Sequence, residues 1–140
     1  MAHELSKRLS IVLPYLYPNL VNDRGLGDGD YSLQNDGDGT YLVWTNSEIT
    51  EPTAQEIIDA KFNAMDTYWW KHLRQVRDKL LVDSDWSQGT DVPSSLKTEY
   101  ATYRGKLRDL PTTVTKPAYA DLIRLEVTTS GIDDLMPTKP

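Results

Sequence analysis

The aspartates of Asp28/Asp30, Asp36/Asp38 and Asp133/Asp134 stand one or two positions apart in this sequence. Closely spaced carboxylates can hold a hard cation or divide acid and base work between them. Each pair, however, lies in a Gly- or turn-rich stretch, where Asp is favoured because its side chain bonds to the local backbone. Read as a calcium loop, Asp36, Asp38 and Gly39 would put Gln34 first and Thr45 last, at the place that requires a bidentate Glu. A hairpin turn accounts for the same residues. His3 and His72 are the only histidines, too few for a His-rich metal site, and His72 has no Ser or Cys partner at a catalytic spacing. It reads as a surface or boundary residue. The sequence contains no cysteine, so disulfides, a thiolate nucleophile and Cys-type zinc sites are excluded. Arg24-Gly25-Leu26-Gly27 has no preceding strand and no following Gly-Lys-Ser/Thr, so it is not a phosphate-binding loop. The expectation is therefore a protein that is not an enzyme, with no catalytic residues, no metal and no cofactor.

The bulk properties bound the size of the domain and exclude several function classes. The sequence has 140 residues, enough for a modest core, and 39% of them are hydrophobic. Mean hydropathy is −0.53. No apolar run approaches the roughly 18–20 residues of a membrane span. Ser10-Ile11-Val12-Leu13-Pro14 is too short and Pro-broken for a signal peptide, which suggests action in a cytoplasm. A net charge of −6 argues against general nucleic-acid binding. Residues 71–108 nevertheless hold eight Lys/Arg against five Asp/Glu, a net of +3.

The elements that must position any functional residues are mostly helical. Glu4 to Leu13 has apolar residues at helical spacing and predicts a short helix ended by Pro14. Tyr15 to Val21 reads as an extended apolar strap over the core, or an exposed patch for a partner. Asn22 to Asp30 is a Gly/Asp loop. Tyr31–Gln34 and Thr40–Trp44 flank the turn Asn35-Asp36-Gly37-Asp38-Gly39 and predict a β-hairpin. Thr53 and Glu56 form a capping box at the start of a long helix to about Val82. Its apolar stripe is Ile58, Phe62, Met65, Trp69, Leu73, Val76 and Leu80, with a second edge at Ile57, Ala60, Ala64 and Tyr68. That edge covers the domain's own β-hairpin or serves as a subunit interface. About 28 residues at 1.5 Å each span roughly 42 Å, so part of this helix should project or meet another chain.

A second helix is predicted from Ser94 to Arg108, stopped by Leu110-Pro111. Its stripe Leu96, Tyr100, Tyr103 and Leu107 is the natural antiparallel partner of Leu73, Val76 and Leu80. Trp86 in the connecting loop is expected to plug the open end of this helical hairpin. Arg74, Arg77, Arg104 and Arg108 are expected on its flanks, solvated or paired with Asp78, Asp83, Asp85 and Asp109. Tyr119 to Val127 could be a short helix or strand, and Thr128 to Pro140 an extended tail. The fold class expected is α+β: a small β-hairpin, a long helix and an antiparallel helical hairpin, with extended termini. The expected divisions are 1–52 (N-terminal helix and β-hairpin), 53–111 (helical hairpin) and 112–140 (tail).

Several segments together resemble the tail assembly chaperone family of tailed bacteriophages. They are Arg77-Asp78-Lys79-Leu80-Leu81, Asp83-Ser84-Asp85-Trp86-Ser87-Gln88, Asp91-Val92-Pro93, Tyr100-Ala101-Thr102-Tyr103-Arg104 and Leu107-Arg108-Asp109-Leu110-Pro111. Met136-Pro137-Thr138-Lys139-Pro140 keeps the family's closing Trp-Pro-Thr-x-Pro form, with Met for Trp. The stretch Tyr41 to Trp44, then Glu51-Pro52-Thr53 and Glu56, is similar as well. The resemblance covers residues 41–111 and the last few residues, and leaves the first 30 unmatched. It implies a helper in tail or tail-fibre assembly that binds and shields a tail protein in the host cytoplasm. The competing expectation is a structural virion component of tail, baseplate or fibre, with self-association or virion neighbours as further partners. Partner-binding residues expected on the hairpin are Tyr68, Trp69, Trp70, Arg74, Arg77, Trp86, Tyr103 and Arg104.

Overall fold

The computed structural model describes residues 9–117 and 129–140. The helices are α1 (Leu9–Leu16), α2 (Ala54–Asp83), α3 (Ser94–Thr113) and α4 (Thr129–Asp133), and the strands are β1 (Tyr31–Asn35) and β2 (Thr40–Trp44). A 3-10 turn covers Asp85–Gln88. The mixed α+β architecture agrees with the sequence. The chain divides into two units, Met1–Thr67 and Tyr68–Pro140, and α2 contributes residues to both.

In the first unit, β1 and β2 pair antiparallel, with Tyr31 opposite Trp44 and Asn35 opposite Thr40. The turn between them is closed locally: Asn35 Oδ1 accepts the Gly37 N–H at 2.8 Å and Asp36 Oδ1 the Asp38 N–H at 3.1 Å. Gly37 takes a φ of 99°, a left-handed conformation that costs a side-chain-bearing residue dearly. Leu9, Val12 and Leu13 of α1, Tyr31 of β1, and Ile57 and Ala64 of α2 form the buried core. Leu33, Leu42 and Trp44 of the hairpin, with Ala60, pack against them. The second apolar edge of the long helix therefore covers the unit's own hairpin. The stripe assigned to this end of α2 does not: Ile58 and Phe62 are each 49% exposed. Small Ala60 and Ala64 let the helix backbone approach its partners closely, which favours that edge over the bulkier one.

Two further expectations for this unit are corrected. Helix α1 continues through Pro14 to Leu16, and Tyr17 N–H still reaches Leu13 O at 2.8 Å. Proline's fixed φ is itself helical, and the N–H it lacks would have served the carbonyl of solvent-exposed Ser10. The Tyr15–Val21 segment accordingly begins as helix and then turns; it is not extended throughout. It still acts as a cover, since Leu16, Tyr17 and Leu20 pack on the core. The part of the predicted N-terminal helix before Leu9 lies outside the described residues.

The loop between α1 and β1 is organised by one carboxylate. Asp23 Oδ1 accepts the backbone N–H groups of Gly25 (2.8 Å), Leu26 (2.7 Å) and Gly27 (3.1 Å). These bonds, the one from Gly27 first and that from Leu26 next, hold the Asp23 pKa below its ordinary value. Asp30 fastens the loop's other end: its carboxylate accepts the Val21 N–H at 2.7 Å and the Asn46 side-chain amide at 2.8 Å, and its pKa is lowered in the same order of cause. Gly29 passes against Asp23, and a Cβ there would collide with that residue's Cβ and backbone.

Helix α2 begins as its sequence dictates. Thr53 Oγ1 accepts the Glu56 N–H at 3.2 Å, and Glu56 Oε2 accepts the Thr53 N–H at 2.8 Å, which completes the capping box. Helix α3 runs past Pro111 to Thr113, further than expected. The hydroxyls of Thr112 and Thr113 donate to the carbonyls of Asp109 (2.7 Å) and Leu110 (3.2 Å), so the last turn keeps its partners despite the proline. Beyond α3, the tail is not extended throughout, because α4 occupies Thr129–Asp133 and Ile132 is buried. Tyr119 to Val127 lies outside the described residues.

Candidate functional site

The second unit is held by an apolar cluster and a polar clasp. Tyr100, Tyr103 and Leu107 of α3 are buried, with Leu80 and Leu81 of α2, Leu96, and Met136 packed around them. The stripe on α3 is thus the one the spacing predicts. On α2 it meets Leu80, as expected, together with Leu81.

Beside this cluster, Arg104 is only 8% exposed. Its Nη1 donates to Leu81 O at 2.6 Å and to Ser84 Oγ at 2.8 Å. Its Nη2 donates to Asp85 Oδ1 at 2.7 Å. The arginine thereby ties α3 to the end of α2 and to the following turn. Ser84 and Ser87 are buried beneath it, and Ser87 Oγ donates to Ser84 O at 2.6 Å. A guanidinium fork can satisfy three acceptors in one plane, which an ammonium cannot. Burial of the Tyr103 phenol, then the neighbouring Tyr100 and Asp83, raises its pKa.

The sequence had placed Arg104 on a flank. Its spacing carries the contrary signal: Tyr100, Tyr103, Arg104 and Leu107 stand at helical i, i+3, i+4 and i+7, on one buried face. Trp86 departs from expectation in the opposite sense. It is 52% exposed and meets Tyr100 edge-on at 5.0 Å, so it does not plug the hairpin. The small buried serines and the Arg104 guanidinium fill that space, leaving the indole to cover Tyr100 from outside.

Upstream on α2, Trp69 is buried and Trp70 half-buried, their rings edge-on at 4.9 Å. The Arg74 guanidinium lies 5.7 Å above the Trp70 ring, a cation–π arrangement that steadies the indole. Tyr68 and His72 are half-buried and in ring contact at 4.5 Å. Arg77 pairs with the adjacent Asp78 at 2.7 Å. The eight expected residues therefore divide. Trp69, Tyr103 and Arg104 are buried, Arg77 is half-buried in its pair with Asp78, and Tyr68, Trp70, Arg74 and Trp86 present surface. Among the described residues, no group of three or more His, Asp or Glu side chains could hold a metal ion, and no helix is long and apolar enough to cross a membrane.

Residues 70–124 match the family model described as phage tail assembly chaperone protein. The match supports a phage tail assembly chaperone family. It begins at Trp70 and contains the whole Arg104 clasp, Trp86 and all of α3. The Asp85 of the Asp-Trp pair and the Arg104 of the Tyr-Arg pair in the matched segment meet in one set of hydrogen bonds with Leu81 and Ser84. The resemblance seen in residues 41–69 lies outside the matched span. No curated protein and no solved structure matches the chain.

Proposed function

We propose that this protein is a non-enzymatic phage tail or tail-fibre assembly chaperone that binds and shields a segment of a tail protein during virion assembly. The observation that carries the reading is the accessible aromatic surface of the chaperone-family segment: Trp70 with Arg74 over its ring, and Trp86 lying 52% exposed on Tyr100. Large aromatic rings and arginine dominate the energetics of protein interfaces because they bury much area at little conformational cost. The exposed half of the Trp86 indole contributes no burial in the folded monomer, and cover by a partner would bury it. The surrounding stretch 71–108 is positively charged within an acidic protein, which favours a tail segment of opposite sign. Tyr68, two residues before Trp70 on α2, points to another side of the helix and is not part of that aromatic surface. Trp69, Tyr103 and Arg104 act through it, by fixing the helices that carry it. Assembly in the host cytoplasm follows from this role.

Alanine at Trp70 and at Trp86, in the full chain, tests the reading. Each substitution should lower capture of a phage tail protein from infected cells at least about tenfold, as removal of an interface hot spot does. Far-UV circular dichroism should remain that of the parent. Undiminished capture by both variants would reject this face.

A further inference from the structure

Residues 136–140 meet the apolar face of α3 through Met136. Met136 is half-buried against Tyr100, Tyr103 and Leu107, and its N–H bonds back to Asp133 O at 3.1 Å. Beyond it, Pro137–Pro140 adopt no regular structure, and among the described residues no backbone hydrogen bond ties them to α3. Thr138 and Pro140 form one side of an open cleft of about 370 Å³, whose other side is Glu99, Thr102, Tyr103 and Lys106 of α3. The segment therefore lies along the helix without sealing to it. The rings beneath Met136 continue outward. Tyr103 is 6.1 Å from Tyr100, and Tyr100 is 5.0 Å from exposed Trp86.

We propose that residues 136–140 are a displaceable strap, with Met136 covering the inner end of an aromatic ladder, Tyr103–Tyr100–Trp86, whose outer end is already open. When the strap lifts, the ladder accepts an extended apolar segment of a tail protein bearing a Met- or Leu-sized side chain. The identity of that incoming segment rests on the chaperone reading; the strap itself does not. Pro137 and Pro140 narrow the conformations open to the segment whether docked or released, which limits the chain entropy gained on lifting and leaves the balance to the Met136 contact. Methionine suits such a seat, since its unbranched, polarisable side chain packs acceptably in more than one arrangement. The backbone of α3 would not need to change.

The test uses the full chain and needs no tail protein, so its outcome is separable from that of the chaperone reading. With bis-ANS as probe of exposed apolar surface, Met136→Ala should bind at least about threefold more dye than the parent, and Met136→Leu should not. A synthetic peptide of residues 133–140 should suppress the excess dye signal of Met136→Ala. In the parent, the amides of Thr138 and Lys139 should exchange as freely as in an unstructured peptide, while that of Leu107 is protected. Unchanged dye binding by Met136→Ala, loss of its helical circular dichroism, failure of the peptide to suppress the dye signal, or protected amides at Thr138 and Lys139 would each overturn the strap.

Discussion

Replacing Arg104 with alanine should cost more stability than any exposed charge in the molecule. The guanidinium gives three hydrogen bonds of 2.6–2.8 Å, to Leu81 O, Ser84 Oγ and Asp85 Oδ1. Bonds from a charged donor are worth about 1.5–3 kcal/mol each when a partner is left stranded. The stranding here is partial. The Asp85 side chain is 63% exposed and rehydrates. Leu81 O keeps the Ser84 N–H at 3.2 Å and its hydroxyl at 3.1 Å. Arg104 Nε, moreover, has no partner among the described residues, so its burial already carries a cost that the substitution removes. The net loss expected is about 2–3 kcal/mol, including the packing of the arginine stem. In a domain of 60–100 residues, 1 kcal/mol moves the melting temperature by about 4–8 °C, so a drop on the order of 10 °C or more follows. Arg104→Lys, which reaches fewer acceptors, should lose about 1–2 kcal/mol. Asp85→Asn, at the exposed end of the pair, should lose about 0–1 kcal/mol. Urea denaturation followed by far-UV circular dichroism reads all three. A loss below about 0.5 kcal/mol for Arg104→Ala, or an Asp85→Asn variant as unstable as Arg104→Ala, would refute the clasp.

Other consequences can be measured on the same material. Thr53→Ala removes the side-chain half of the capping box and should cost about 1 kcal/mol, seen as fraying of the first turn of α2 by amide exchange. Gly29→Ala should disrupt the 22–30 loop, because the added Cβ meets the Asp23 backbone, which cannot swing aside; faster exchange at Gly25 to Gly27 would show it. Asp23 and Asp30 both have lowered pKa values in the folded chain, from backbone and amide hydrogen bonds to their carboxylates. Their contribution to stability is therefore present above the unfolded-state value of about 4 and is lost as pH falls through the folded values. The 22–30 loop should lose protection in acid below about pH 4, and Asp23→Asn should flatten that pH dependence.

The features legible in the sequence are those fixed by near neighbours in the chain. The capping box, the hairpin turn and the α3 stripe each depend on residues within about two helical turns or one β-turn, and each is found where the pattern puts it. The choice of buried face on the first part of α2 was not legible. Both the Ile58/Phe62 and the Ile57/Ala60/Ala64 edges are apolar, and only the packing of the hairpin selects between them. Proline misled twice, at Pro14 and Pro111, because its fixed φ is itself helical and a helix can pass through it at the cost of one hydrogen bond. In the candidate site, residue type pulled against position. An arginine suggests a surface and a tryptophan a core, yet Arg104 is buried by its place on the helical stripe and Trp86 is left outside by a 3-10 turn. Of the residues expected at a partner face, Tyr68, Trp70, Arg74 and Trp86 keep accessible surface, while Trp69, Tyr103 and Arg104 are buried.

The central claim is that the chain assists tail assembly by holding a tail protein transiently. It is tested most directly by quantitative mass spectrometry of two samples from the same infection: the tagged chain recovered from the cell lysate, and the purified virions. The account predicts a tail protein bound to the chain in the lysate and no stoichiometric copy of the chain in the virions. The chain present in virions at fixed stoichiometry with the tail proteins would contradict it and make the protein a structural part of the particle.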